Sequence, residues 1–305
     1  MDVSAEASGA LEVRCRNCGA AVVVEAHLKT AECAYCGSHS IVERPSEPGR
    51  EEPVLALPFV VERERAQALV RRWLASRGAF AHSGLKAAAL ENVRGVYVPA
   101  YLYGAVAETR YTARIGENYT VTESYTGSDG KTHTRTVTKT EWRDLAGRYD
   151  RYVADVLVSA SRGIPNDELE AVEPFDLRGM RRYSPAMLPG WIAEEPSLDR
   201  EACRAQAHAE TEGSLGRWLA EFMPGDAHEN LRFESSLRDE VIDLVLLPVW
   251  VSVAKYSPEK PAVRVLLNGQ TGEAAGKVPL SATKIALAVA LGLALVLAIV
   301  LAFAT

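Results

Sequence analysis

Four cysteines in two identical C-x-x-C pairs, Cys15 with Cys18 and Cys33 with Cys36, are the residues whose type and spacing most plainly specify chemistry. Glycine follows each second cysteine, as Gly19 and Gly37. A knuckle that turns two thiolates toward one ion needs a backbone conformation that glycine adopts without steric cost. Four thiolates at about 2.3 Å fill a tetrahedral zinc site and leave no open position for water. The expected cofactor is therefore structural Zn2+, with Cys15, Cys18, Cys33 and Cys36 as its ligands. Four-thiolate iron and a redox pair are the competing uses of the same spacing. A module this small has almost no core, so metal binding, worth about 10 to 16 kcal/mol in such peptides, is its source of folding energy. His27 and His39 lie nearby and are read as surface residues, because the shell is complete without them.

Other chemistry is sparse. There is no G-x-S-x-G elbow, no H-E-x-x-H, no glycine-rich dinucleotide turn and no carboxylate pair singled out by its placement. The run GSDGKT at 127–132 ends like a phosphate-binding loop, but Tyr125 stands where that motif needs glycine and a strand pattern follows. His82, His133, His208 and His228 are scattered among dissimilar contexts. Cys203 stands alone on a helical pattern and is read as a small packed residue rather than a reactive thiol. No catalytic residue is assigned, and the chain is not expected to be an enzyme.

The elements that carry these residues follow from periodicity. The zinc ribbon occupies 11–44, with Ala20 to Val24 as a short strand after the first knuckle. Residues 45–54, PSEPGREEPV, read as a linker. An α+β cytoplasmic body is expected over 55–280. Within it, Ala66, Leu69, Val70, Trp73 and Leu74 have helical spacing, as do Leu215, Trp218, Leu219 and Phe222 in a helix over 199–222. Strands are expected over 96–115, 120–126, 132–140, 243–257 and 262–276, with Gly127 to Gly130 and Asn268 to Gly272 as turns. Each apolar-apolar-proline-x-aromatic segment, at 96–111 and 245–256, follows a helical segment, so the body reads as two related halves. Pro99 and Pro248 are expected at a strand start or edge, since proline cannot donate in a sheet ladder.

Residues 285–304 contain no charge and no proline. At about 1.5 Å per residue they reach roughly 30 Å, the thickness of a bilayer's hydrocarbon layer. Their large aliphatic and Phe side chains favour insertion by roughly 4 to 7 kcal/mol. A single C-terminal transmembrane helix is the expectation. Lys277 and Lys284 precede it, which places the N-terminal part in the cytoplasm and the protein, tail-anchored, in the inner (cytoplasmic) membrane. Alanines 286, 290, 294, 298 and 302 recur every four residues, a spacing that lets helices approach closely and suits self-association through the span or contact with another membrane helix.

The chain has 305 residues, 48% of them hydrophobic, and a net charge of -6, so no overall positive field draws it to nucleic acid. The ribbon balances Arg14, Arg16, Lys29 and Arg44 against Glu12, Glu25, Glu32 and Glu43, with Tyr35 as its one aromatic residue. Phosphate binding and base stacking need more cations and more rings than this. The opening MDVSAEASGA lacks the basic and apolar regions of a secretory signal, and in a reducing compartment paired cysteines hold metal rather than form disulfides.

Four motifs, taken with the paired C-x-x-C-G, resemble one family in this order: Tyr97-Val98-Pro99, then PFDLRGMRRYSPAMLPGW from Pro174 to Trp191, then Leu247-Pro248-Val249-Trp250, then Asn268 to Gly272. The chain resembles bacterial membrane-anchored zinc-ribbon proteins of the transcription factor IIB type, often labelled primosomal-helicase-like. The resemblance implies a tail-anchored cytoplasmic adaptor that recruits or scaffolds protein partners at the inner membrane in envelope stress. The partners it implies are phage-shock-type ESCRT-III relatives or flotillin-like proteins. The alternative is a membrane-tethered regulator that binds nucleic acid through the ribbon.

Overall fold

A computed structural model of the chain describes residues 10–14, 21–25, 30–32, 39–41, 51–126, 128 and 132–304. Two short antiparallel hairpins come first: β1 (Ala10–Arg14) with β2 (Ala21–Glu25), and β3 (Thr30–Glu32) with β4 (His39–Ile41). Eight further strands form one mixed sheet. They are β5 (Leu55–Ala56), β6 (Ala89–Thr126), β7 (Thr132–Ser159), β8 (Arg181–Arg182), β9 (Ile192–Ala193), β10 (Ala227–Lys255), β11 (Val263–Asn268) and β12 (Ala274–Gly276). Four α-helices accompany them: α1 (Arg63–Ala75), α2 (Asn166–Glu170), α3 (Arg200–Phe222) and α4 (Ala282–Ala304).

The chain divides into two compact units. The first holds residues 1–101, 159–199 and 243–305. Its core joins Val70 and Leu74 of α1 to Val263, Val265 and Leu267 of β11 and to Trp250 of β10. Trp250 donates its indole N–H to the Val61 carbonyl (2.9 Å). Phe59 stacks on Trp191 with centroids 3.8 Å apart and meets Tyr97 and Trp250 edge-on. A Cβ on Gly269 would lie 2.7 Å from the Phe59 ring, so only glycine lets the turn approach this aromatic group.

The second unit holds residues 102–158 and 200–242. Along β6 every odd position from Tyr103 to Ile115 is buried, the period of a strand covered on one face. Ala107, Val153 and Leu215 centre this core, with Trp218 and Phe233 packed against them. Among the described residues, three other than glycine adopt left-handed backbone: Asp155 (φ 66°) in β7, and Asn230 (φ 55°) and Asp239 (φ 51°) in β10. Asp and Asn tolerate this region because their short polar side chains bond locally. Asp239 resets the strand's facing: inward positions on β10 are odd from Leu231 to Leu237, and after Asp239 the buried position is the even Ile242.

The expected architecture is corrected on three points. An α+β body is expected, whereas one large mixed sheet dominates, with strands of 38, 28 and 29 residues. β7 and β10 continue past the left-handed residues Asp155, Asn230 and Asp239, and all three strands run far longer than the separate short ones that pattern alone marks. No zinc ribbon is found among the described residues, which contribute two separate hairpins there. The segment expected to cross the membrane is helix α4, and among the described residues, which leave out the side chains of 295, 298, 300 and 302–304, no helix is long and apolar enough to cross a membrane. The prolines also differ from expectation, since Pro99 and Pro248 lie inside β6 and β10. Neither is needed as a donor there, and their carbonyls accept from Ala160 and Gly269.

Candidate functional site

The four metal-ligand candidates, Cys15, Cys18, Cys33 and Cys36, lie outside the described residues. Their flanks are described. In the first hairpin Arg14 pairs with Ala21, and in the second Glu32 pairs with His39. Each C-x-x-C therefore falls within a six-residue connection, 15–20 or 33–38, between paired strand ends. Among the described residues no group of three or more His, Cys, Asp and Glu side chains is placed to hold a metal, which corrects the expectation of a metal centre as far as those residues reach. Cys203 is buried on the packed face of α3.

Helix α4 is the exposed apolar element. Its large side chains Leu287, Val289, Leu291, Leu293, Val296, Leu297, Ile299 and Leu301 are between 47% and 66% exposed. A helix apolar on every side has no face suited to water, and a contiguous exposed apolar surface marks an interaction site. Its root is fixed to the first unit. The Ser281 amide donates to the Phe80 carbonyl (2.8 Å), the His82 amide to the Pro279 carbonyl (3.0 Å), and Lys284 Nζ to the Ala81 carbonyl (2.8 Å). Phe80 and Leu280, both exposed, continue the apolar surface at this root.

In the second unit three residues far apart in sequence meet. Glu240 Oε2 accepts from His208 Nε2 (2.6 Å) and from the Tyr103 hydroxyl (3.0 Å). The left-handed residue Asp239 precedes Glu240 on β10, and re-aiming a side chain is a recurrent use of a bulge. The hydrogen bond from His208 holds the Glu240 carboxyl below the ordinary carboxylate range, against the burial that raises it. Burial, followed by the Glu240 acceptor, raises the Tyr103 phenol well above its usual value. His208 and Glu240 border a cavity of about 310 Å³, where the fully buried Thr211 hydroxyl has no hydrogen-bond partner among the described residues. Sequence reasoning separates His208 from its partners because it stands 32 positions from Glu240 and no periodicity links them.

The ordered motifs resolve into structural fasteners. Asn268, fully buried, donates to the carbonyls of Val172 and Pro174 and accepts from the amides of Gln270 and Thr271. Gln270 exchanges two further bonds with the Asp176 backbone (2.8 and 3.0 Å). NGQTG thus clasps the PFDLRG segment, and Tyr97, Trp191 and Trp250 fill the aromatic core beneath it.

Together these features define a sheet-rich protein with an exposed apolar helix fastened to its first unit. The chain is similar to the uncharacterized protein YdjG of Bacillus subtilis (strain 168), at 27% identity over 240 residues, which cover 78% of this chain and 67% of that protein. No family model and no solved structure matches it.

Proposed function

We propose that this protein is an adaptor that binds cytoplasmic proteins and holds them at a membrane surface. The observation that carries the reading is helix α4, whose large aliphatic side chains stand exposed on every side. Burying such side chains contributes about 1.5 to 3 kcal/mol each, so lipid is a far better surrounding for them than water. The N-terminal cysteines supply the contact module in this reading: Cys15, Cys18, Cys33 and Cys36 hold a structural zinc, and the hairpin register supports that fit by setting each pair between paired strand ends. A closed four-thiolate shell fixes shape and leaves no position for a substrate. The family resemblance makes phage-shock-type ESCRT-III relatives and flotillin-like proteins the first partners to try.

Flotation with liposomes tests the reading. The full chain should rise with vesicles, and a chain carrying Leu291→Glu, Leu293→Glu and Leu297→Glu should stay at the bottom while keeping its strand signal in circular dichroism. Failure of the unaltered chain to float would overturn the proposal.

A further inference from the structure

The edge of the sheet in the first unit ends in a cleft that no sequence motif announces. Strand β12 is terminal in the order β12-β11-β10-β5-β8. On β11, Val263, Val265 and Leu267 turn to the core shared with α1, while Arg264 turns to the opposite face and meets the Gly163 carbonyl (2.6 Å) and Glu168 (2.5 Å). Trp73 of α1 and Arg77, one residue past its C-cap Ser76, therefore stand on one side of the sheet edge, Asp167 and Glu168 of α2 on the other, and β12 lies between them. The resulting cavity has a volume of about 630 Å³, with Tyr256 and Lys277 also on its wall, which is the size of a site for a small ligand or a few residues of peptide.

The backbone of β12 is the cleft's distinctive surface. It pairs with β11 in the register Val265↔Gly276, Leu266↔Ala275, Leu267↔Ala274, and the Asn268 amide donates to the Glu273 carbonyl (2.8 Å). Antiparallel ladders alternate bonded and non-bonded pairs. With Glu273 and Ala275 turned inward, the amides and carbonyls of Ala274 and Gly276 turn outward. A Cβ at Gly276 would lie 2.7 Å from the Arg264 carbonyl oxygen and 3.2 Å from the Trp73 ring, so this stretch is bare backbone by steric need.

The charges favour an acidic occupant. Asp167 and Glu168 are engaged by Lys277 (3.3 and 3.7 Å), and Glu168 also by Arg264. Arg77 lies with its guanidinium carbon 4.2 Å from the Trp73 ring centroid and has no carboxylate partner among the described residues.

From these placements we infer that the cleft binds an extended segment of a partner protein, added as a further strand on β12, with an apolar side chain on Trp73 and Tyr256 and a carboxylate on Arg77. Strand addition takes affinity from main-chain hydrogen bonds and specificity from pockets for alternate side chains. Ala274 to Val278 admits about five residues, roughly 17 Å of strand. The inference locates one partner surface within the adaptor reading and rests on it for its biological use. Flotation reads the helix and peptide binding reads the cleft, so each fails separately.

The probe is the peptide acetyl-Glu-Val-Phe-Val-Glu-amide, added to the full chain and followed by hydrogen exchange and tryptophan fluorescence. Saturation should slow exchange at Ala274 and Gly276 by about tenfold or more, and N-methylation of alternate peptide amides should abolish the effect. The analogue with Gln in place of Glu should bind about fivefold to tenfold more weakly, and Arg77→Gln should remove that difference. Absence of protection at millimolar peptide, or equal protection by the N-methylated form, would overturn strand addition. Equal affinity of the Glu and Gln peptides would overturn the acidic specificity.

Discussion

Glu240 takes two hydrogen bonds on one carboxylate oxygen, and both donors come from other elements, His208 on α3 and Tyr103 on β6. Its folded-state affinity for protons is lowered, so its contribution is present above the ordinary carboxylate range and disappears as pH falls through the lowered value. Glu240→Gln should therefore cost stability at about pH 6 and progressively less toward about pH 3. Urea unfolding of both proteins at the two pH values measures this, and a constant difference would refute the role of the charge. The trio could not be read from sequence, since residues 103, 208 and 240 share no local pattern. The burial of Cys203 could, because its neighbours already mark the packed side of a helix.

Among elements, α1 and α3 were the most legible, since apolar residues at helical spacing name the face that must be covered: Ala66, Val70 and Leu74 on α1, Leu215 and Leu219 on α3 are all buried. Phe222 departs from this pattern, being 51% exposed at the end of α3. The pairing of β6 with β7 was legible too, as two neighbouring runs with threonine on alternate positions; the turn expected over 127–130 lies outside the described residues, apart from Ser128. Strand length was not. A left-handed residue shifts the inward positions from odd to even and so erases the alternation by which a strand is recognised. Asp239 tests this directly. Asp239→Gly should be neutral or slightly stabilising, whereas Asp239→Val should cost about 1 to 2 kcal/mol because a β-branched residue is disfavoured at positive φ. Thermal unfolding of the two variants would decide it, and an equal loss in both would mean that backbone conformation is not what the position requires.

At the scale of the molecule, the two N-terminal hairpins belong to no part of the eight-stranded sheet. Their stability must come from elsewhere, and a four-thiolate zinc supplies it in the proposed reading. Elemental analysis should find about one zinc per chain. A strong chelator, or Cys15→Ser with Cys18→Ser, should open residues 10–41 to proteolysis while the rest resists. A metal-free chain with a protease-resistant N-terminus would exclude the zinc.

The root of α4 carries one more consequence. Three ties, two through amides and one through an ammonium group, fasten it to the stretch from Phe80 to His82. A tail joined by slack chain would let the body tumble freely above whatever the tail grips. Here the helix leaves from a corner held by hydrogen bonds to three consecutive residues, so a pull along it would be shared among Phe80, Ala81 and His82.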